Sequence, residues 1–129
     1  MRFMIIVKSC PEFEAETIPV AADAQLMKDM GDFHEELAKA GVLLDGAGLQ
    51  PSSKGWRIQY DGQKRTVVDG PFAESKELVA GFTTIQVRSR EEAMEWSRRF
   101  PNPAGRGLPA VIEVRQLYEP EDFVPTQSS

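Results

Sequence analysis

One cysteine, Cys10, stands in this chain of 129 residues, so no intramolecular disulfide can form. One histidine, His34, leaves carboxylates to supply nearly all the ligands of any metal site, so neither a metal nor a cofactor is expected. Long apolar runs are also missing. Nothing approaches the ~20 residues of a membrane span. The run Phe3-Met4-Ile5-Ile6-Val7 is too short for a signal-peptide core, and no small-residue cleavage site follows it. Positive charge is in deficit, with 15 Lys and Arg against 20 Asp and Glu and a net charge of −5. That balance argues against nucleic acid, which is held by clustered Lys and Arg. The short basic pieces at residues 88–90 and at Arg98-Arg99 have acids close by and read as solvated faces. These absences point to a cytoplasmic protein that engages neither nucleic acid nor membrane.

Several catalytic signatures are absent as well. No Gly-x-x-x-x-Gly-Lys and no Gly-x-Gly-x-x-Gly follows a predicted strand; Gly46-Ala47-Gly48 is a fragment with no helix opening after it. No Gly-x-Ser-x-Gly turn presents a serine nucleophile. Cys10, beside Pro11, reads as a tolerated thiol unless a base stands next to it.

What is present is an ordinary globular balance, 41% hydrophobic and 27% charged. The length fits one domain, over residues 1–118, followed by a polar tail over residues 119–129. Such a domain buries roughly two-thirds of the surface its unfolded chain exposes.

Residues 2–8 form an almost continuous apolar run with β-branched Ile5, Ile6 and Val7, which predicts a central strand. A loop over residues 9–20 follows. Leu26, Met30, Phe33 and Leu37 recur at helical spacing within residues 22–40, and Gly41 supplies the stop. Residues 42–49 make a second strand, where Gly46 and Gly48 mark a bulge or a close backbone approach. Residues 56–60 and 65–69 flank Asp61-Gly62, a hairpin turn pair. A strand over residues 80–88 leads to Ser89-x-x-Glu92, a capping box opening a second helix with Ala93, Trp96 and Phe100 on one face. Pro101 and Pro103 close it, Arg106-Gly107 lies in a loop, and residues 110–118 form the last strand. The order β-α-β, hairpin, β-α-β is that of a ferredoxin-like split βαβ fold of the α+β class, with an inserted β-hairpin. One layer of helices leaves the other face of the sheet open, and a homodimer would cover it.

The most distinctive segment is Asp69-Gly70-Pro71-Phe72-Ala73-Glu74-Ser75-Lys76-Glu77. It sets three carboxylates at Asp69, Glu74 and Glu77, a lysine and a Gly-Pro turn between two β-rich pieces. This segment resembles the naming motif of the DGPF branch of the YciI-related (YCII) family. The opening strand, Phe33-His34-Glu35-Glu36-Leu37, Gly48-Leu49-Gln50-Pro51 and Ile112-Glu113-Val114-Arg115 are similar to that family too. The resemblance runs from residue 1 to about residue 117, and residues 9–22 fit it least. It implies a dimeric α+β barrel of ferredoxin-like subunits and an active-site pair of one His and one Asp, carried here by His34 and Asp69.

Read from the residues, His34 sits beside the apolar stripe of its helix, between Met30 and Leu37. An imidazole, with an ordinary pKa of about 6.5, suits proton transfer at neutral pH, and a carboxylate such as Asp69 would fix its tautomer. Equally, His34 could satisfy a half-buried helix edge, and Asp69 could shape the turn by accepting backbone N–H groups. Glu74 and Lys76 are candidates for binding a polar substrate, as are Arg57 and Arg115, which strands would aim into fixed positions. Ordinary ion pairs are the competing account of all four. Phe72 is read as an anchor of the loop. The expected function is acid–base chemistry by His34 and Asp69 on a small polar metabolite in a homodimer. The alternative is a non-catalytic metabolite- or protein-binding module in which the DGPF segment is a structural clasp. Dimeric α+β barrels also host cofactor-free and haem-using monooxygenases, which fold analogy alone brings into view.

Overall fold

The computed structural model describes residues 1–15, 24–105 and 107–124. In chain order its elements are β1 (Arg2–Lys8), α1 (Pro11–Glu14), α2 (Ala24–Lys39), β2 (Leu43–Gly48), β3 (Trp56–Asp61), β4 (Lys64–Asp69), β5 (Val79–Gln86), α3 (Arg90–Arg98) and β6 (Ile112–Gln116).

Alternation along β1 sets the centre of the molecule. Phe3 and Ile5 are buried on one face of the strand, while Met4 and Ile6 turn to the other. The strand pairs antiparallel with β5 on one side and β6 on the other. β2 adds to the far side of β5, giving the order β2-β5-β1-β6. This is the α+β, ferredoxin-like arrangement predicted from the order of elements. β5 repeats the alternation, so Thr83 and Ile85, paired with Ile5 and Phe3, share their side, and Val87 just beyond the strand is buried as well.

Both longer helices cover that side. Phe33 and Leu37, one turn apart on α2, and Ala93 of α3 join Phe3, Ile5, Val42, Ile85 and Val87 in one core. Trp96 and Phe100 meet the Phe33 ring edge-on, at centroid distances of 6.2 and 5.4 Å. α2 stops at Gly41, whose φ of +75° needs no side chain. α3 starts where Ser89 Oγ accepts the Glu92 N–H at 3.1 Å. The return half of the box differs by one residue: the Glu92 carboxylate accepts the N–H of Arg88.

Three details go beyond the predicted order of elements. Among the described residues the inserted hairpin stands apart from the main sheet: β3 and β4 pair with each other, with Gly62 in the turn at φ +60°. The predicted loop over residues 9–20 opens with the one-turn helix α1. The first described tail residues are tied down, because Glu119 pairs with Arg2 and a 3₁₀ turn covers Pro120–Phe123. The rest of that loop, the predicted helix start at residue 22, Arg106 of the Arg106-Gly107 loop and tail residues 125–129 lie outside the described residues. Among the described residues no helix is long and apolar enough to cross a membrane.

Candidate functional site

His34 projects from α2 beside Phe33, and both its ring nitrogens are engaged. Nδ1 lies 2.8 Å from the backbone oxygen of Met30, one turn earlier. A carbonyl oxygen only accepts, so Nδ1 carries the hydrogen. Nε2 lies 2.7 Å from Oγ1 of Thr83 on β5. In the neutral ring Nε2 therefore accepts the threonine hydroxyl, and in the imidazolium it donates to it. Every proton that His34 gains or loses passes through Nε2. Phe33 and Phe100 stand edge-on to the half-buried ring, with centroids 5.9 and 6.3 Å away.

Backbone geometry brings β2 close to this pair. Gly46 is directly across from Thr83 in the register of β2 and β5. A Cβ at Gly46 would stand 3.5 Å from His34 Nε2, 3.5 Å from Thr83 Oγ1 and 3.3 Å from the carbonyl oxygen of Phe82. Glycine thus keeps the space beside Nε2 clear on an exposed part of the edge strand. Asp45 caps its neighbour, accepting the Gly46 N–H at 2.8 Å. Thr83 is 2% exposed and Gly46 is open, so the pair combines a fixed hydroxyl with an accessible backbone.

The DGPF segment forms a different constellation. Gly70 N–H donates to the Gly55 carbonyl at 3.0 Å, and Phe72 N–H donates to Ser52 Oγ at 3.0 Å. Ser52 Oγ in turn donates to the Glu14 carboxylate, which also accepts the Ser52 N–H at 3.1 Å and the Ser9 hydroxyl at 3.4 Å. A Cβ at Gly70 would lie 1.8 Å from the Ser52 carbonyl oxygen, so only glycine fits there. The Arg57 guanidinium stacks over the Phe72 ring, 3.8 Å from its centroid. Phe72 is half-buried and anchors the loop.

The residues predicted to carry function are thus dispersed. Asp69 is exposed at the end of β4, across from Trp56, and neither ring nitrogen of His34 is hydrogen-bonded to it. Arg57 is exposed and spends its charge on Phe72. Arg115 is exposed and pairs at 3.3 Å with Glu113 of its own strand. Glu74 and Lys76 are exposed around the 3₁₀ turn Ser75–Glu77. Two clefts open where α2 faces the segment after α3. One, of about 260 Å³, is lined by Asp29, Asp32, Phe33, Glu36, Arg99 and Pro101. The other, of about 450 Å³, runs from Gln25 to Leu108. His34 and Asp69 line neither.

Thr83, Gly46, Ser52 and Glu14 were not singled out for the site by sequence reasoning. Thr83 carried a signal: on a strand alternating with Ile85 and Val87 it is a polar residue at a core-facing position. Gly46 was marked as a close approach without its partner. Nothing local foretold that Glu14 would reach Ser52.

The YCII-related domain matches residues 1–118 of the chain. An uncharacterised protein of Rhizobium meliloti strain 1021 is 32% identical over 101 residues, spanning 78% of this chain and 82% of that one. The 5-chloro-2-hydroxyhydroquinone dehydrochlorinase of Burkholderia phenoliruptrix AC1100, solved with 2,5-dihydroxybenzoquinone, superposes at a TM-score of 0.49 with 15% identity. That superposition covers 95% of this chain and 98% of the other.

Proposed function

Since the chain belongs to the YCII-related family, we propose that it is a cytoplasmic homodimer in which His34 performs acid–base chemistry on a small polar metabolite. One observation carries this reading: His34 Nδ1 is committed to the Met30 carbonyl while Nε2 faces a threonine hydroxyl beside a glycine. The ring is held in one tautomer, and its basic nitrogen stands where a ligand at the β2 edge would meet it. Thr83 either passes the proton or yields its place to the substrate. Orientation of the ring, the task first assigned to Asp69, falls to Met30. Asp69 belongs instead to the root of the Gly-Pro turn. The second copy covers the open sheet face.

The test is NMR of the single histidine. The neutral ring is expected as the Nδ1–H tautomer, read from its ¹⁵N shifts. Pools of small carboxylates, hydroxy acids and hydroxyketones should include one that moves the His34 ring, Thr83 and Gly46 signals together. An Nε2–H tautomer, or no pool that perturbs these three residues, would overturn the proposal.

A second reading has its own support. The Glu14–Ser52–Phe72 chain of hydrogen bonds fits a binding module whose DGPF segment is a clasp. It predicts ligand-induced shifts elsewhere, with the His34 ring indifferent.

A further inference from the structure

α2 and the segment that follows α3 face each other across a groove. Its larger part, of about 450 Å³, falls within the ~300–1,000 Å³ of small-molecule clefts. One wall is the start of α2, with Gln25, Leu26 and Asp29. The other is the loop over residues 101–108, which Asn102 braces from within. Its Nδ2 donates to the Leu108 carbonyl at 2.8 Å, and its Oδ1 accepts the Ala104 N–H at 2.9 Å. The Gly105 N–H donates to the Asn102 carbonyl at 3.0 Å, at a φ of +99° that glycine adopts without strain. The Asn102 amide is thus spent on the loop. Pro101, Ala104 and Leu108, with Leu26, give the groove its apolar walls.

The acids of α2 along this groove are matched, save one. Asp32 pairs with Lys28 at 2.6 Å, and Glu36 pairs with Arg99. Asp29 makes no ion pair among the described residues, and its one side-chain hydrogen bond comes from Gln25 Nε2 at 2.7 Å. That bond occupies one oxygen of the carboxylate and leaves most of its acceptor capacity open. Asp29 is half-buried, and it lines both this part of the groove and the smaller part, of about 260 Å³. A fully exposed acid is served by water. An unmatched, half-buried one at the joint of a cleft focuses its field on whatever enters.

We propose that this groove binds an organic monocation, an amine or amidine carried on an apolar body. The N–H donors meet the open side of Asp29, and the body lies between Leu26 and the loop over residues 101–108. Charge decides the class. Anions are disfavoured because Asp29, Asp32 and Glu36 stand along the groove against Arg99, whose charge is given to Glu36. A dication is disfavoured because Asp32 and Glu36 already have their partners. A bare metal ion is disfavoured because no three His, Cys, Asp or Glu among the described residues come together to hold one. His34 lines neither part of the groove, so this site is separate from the one proposed above and does not rest on it.

The test applies three probes of similar shape to the full chain and follows amide chemical shifts. Benzylamine is a cation, benzyl alcohol is neutral and benzoate is an anion. Benzylamine is expected to move the Gln25, Asp29, Gly105 and Leu108 signals together and saturably. It should bind about tenfold more tightly than benzyl alcohol, and benzoate should leave these signals in place. In Asp29→Asn the preference for the amine should vanish while benzyl alcohol binds as before. Leu108→Ser should weaken amine and alcohol alike, because it acts on the wall and not on the charge. No saturable binding of benzylamine, equal affinity for amine and alcohol, or benzoate binding in the groove overturns the proposal. So does a preference that survives Asp29→Asn. Benzylamine shifts as large at Glu91, Glu92 and Glu95 of α3 also overturn it, since the cation then merely collects on acidic surface. If Asp29→Asn fails to fold, the amine-to-alcohol ratio and the location of the shifts in wild type decide.

Discussion

His34 and Met30 are bound together within one turn of helix, the ring Nδ1 donating to the Met30 carbonyl at 2.8 Å. A helix that fixes its own histidine needs no carboxylate to choose the tautomer. The ring is oriented by local structure, and its chemistry is left to whatever meets Nε2.

Thr83→Val removes the hydroxyl facing Nε2 and leaves that nitrogen without a donor in a nearly buried place. The expected loss of stability is about 1–2 kcal/mol, measured by urea unfolding. Ring ¹⁵N shifts should still report the Nδ1–H tautomer, because Met30 sets it. A switch to Nε2–H in the variant would show that Thr83, and not Met30, holds the ring.

Ser52→Ala cuts both arms of the clasp at once, since Ser52 Oγ donates to Glu14 and accepts from Phe72 N–H. Leaving the Phe72 N–H without a partner and the Glu14 carboxylate one donor short, with the Ser52 N–H and the Ser9 hydroxyl still bound to it, should cost about 1–2 kcal/mol. Hydrogen exchange should localise the loosening to residues 70–78. Unchanged exchange there would mean that Phe72 packing alone holds the loop.

Gly70→Ala forces a Cβ into the Ser52 carbonyl oxygen, which is backbone and cannot swing away. The 51–55 turn or the Gly-Pro turn must shift, at an expected cost of about 1–3 kcal/mol by denaturant midpoint. Gly46→Ala is the control. Its nearest neighbour would be 3.3 Å away, so its effect on stability should stay within about 1 kcal/mol while ligand shifts at His34 shrink.

Acid should act on the link between the chain ends. A hydrogen bond from Arg2, with its positive charge, holds the Glu119 carboxyl below its ordinary value of 4.5. A depressed carboxyl adds stability above its unfolded value and loses it as pH falls through the folded one. Wild type should therefore melt higher than Glu119→Gln at neutral pH, and the gap should close below pH 4.5. The pair is solvent-accessible, so salt should shrink the same gap. A gap that is flat with pH would remove the ion pair as its source.

The fold was legible because its signals are periodic and local. Alternation around Phe3 and Ile5, helical spacing from Leu26 to Leu37, and glycines at 41 and 62 each act within a few residues. The site was less legible because its partners come from afar. Asp69 was matched to His34 by motif, whereas the ring meets Thr83, which is 49 residues away in sequence. Thr83 looked like any β former; only its place between core positions betrayed it. The DGPF segment was read as one possible clasp with no partner named, and the carboxylate that reaches it through Ser52, Glu14, lies in the stretch read as a plain loop. Arg57 drew notice for its charge, and its partner is an aromatic ring.

The strand order has a consequence for how the molecule comes into being. β1 is central, yet both of its neighbours, β5 and β6, come from the second half of the chain. During synthesis the first strand emerges with no strand beside it and waits while the hairpin, whose contacts are all local, closes first. Its second edge is covered only when residues 112–116 arrive. Assembly of the main sheet is therefore deferred until those residues have been made. A chain cut before Ile112 should remain open to protease at β1, even with its hairpin formed.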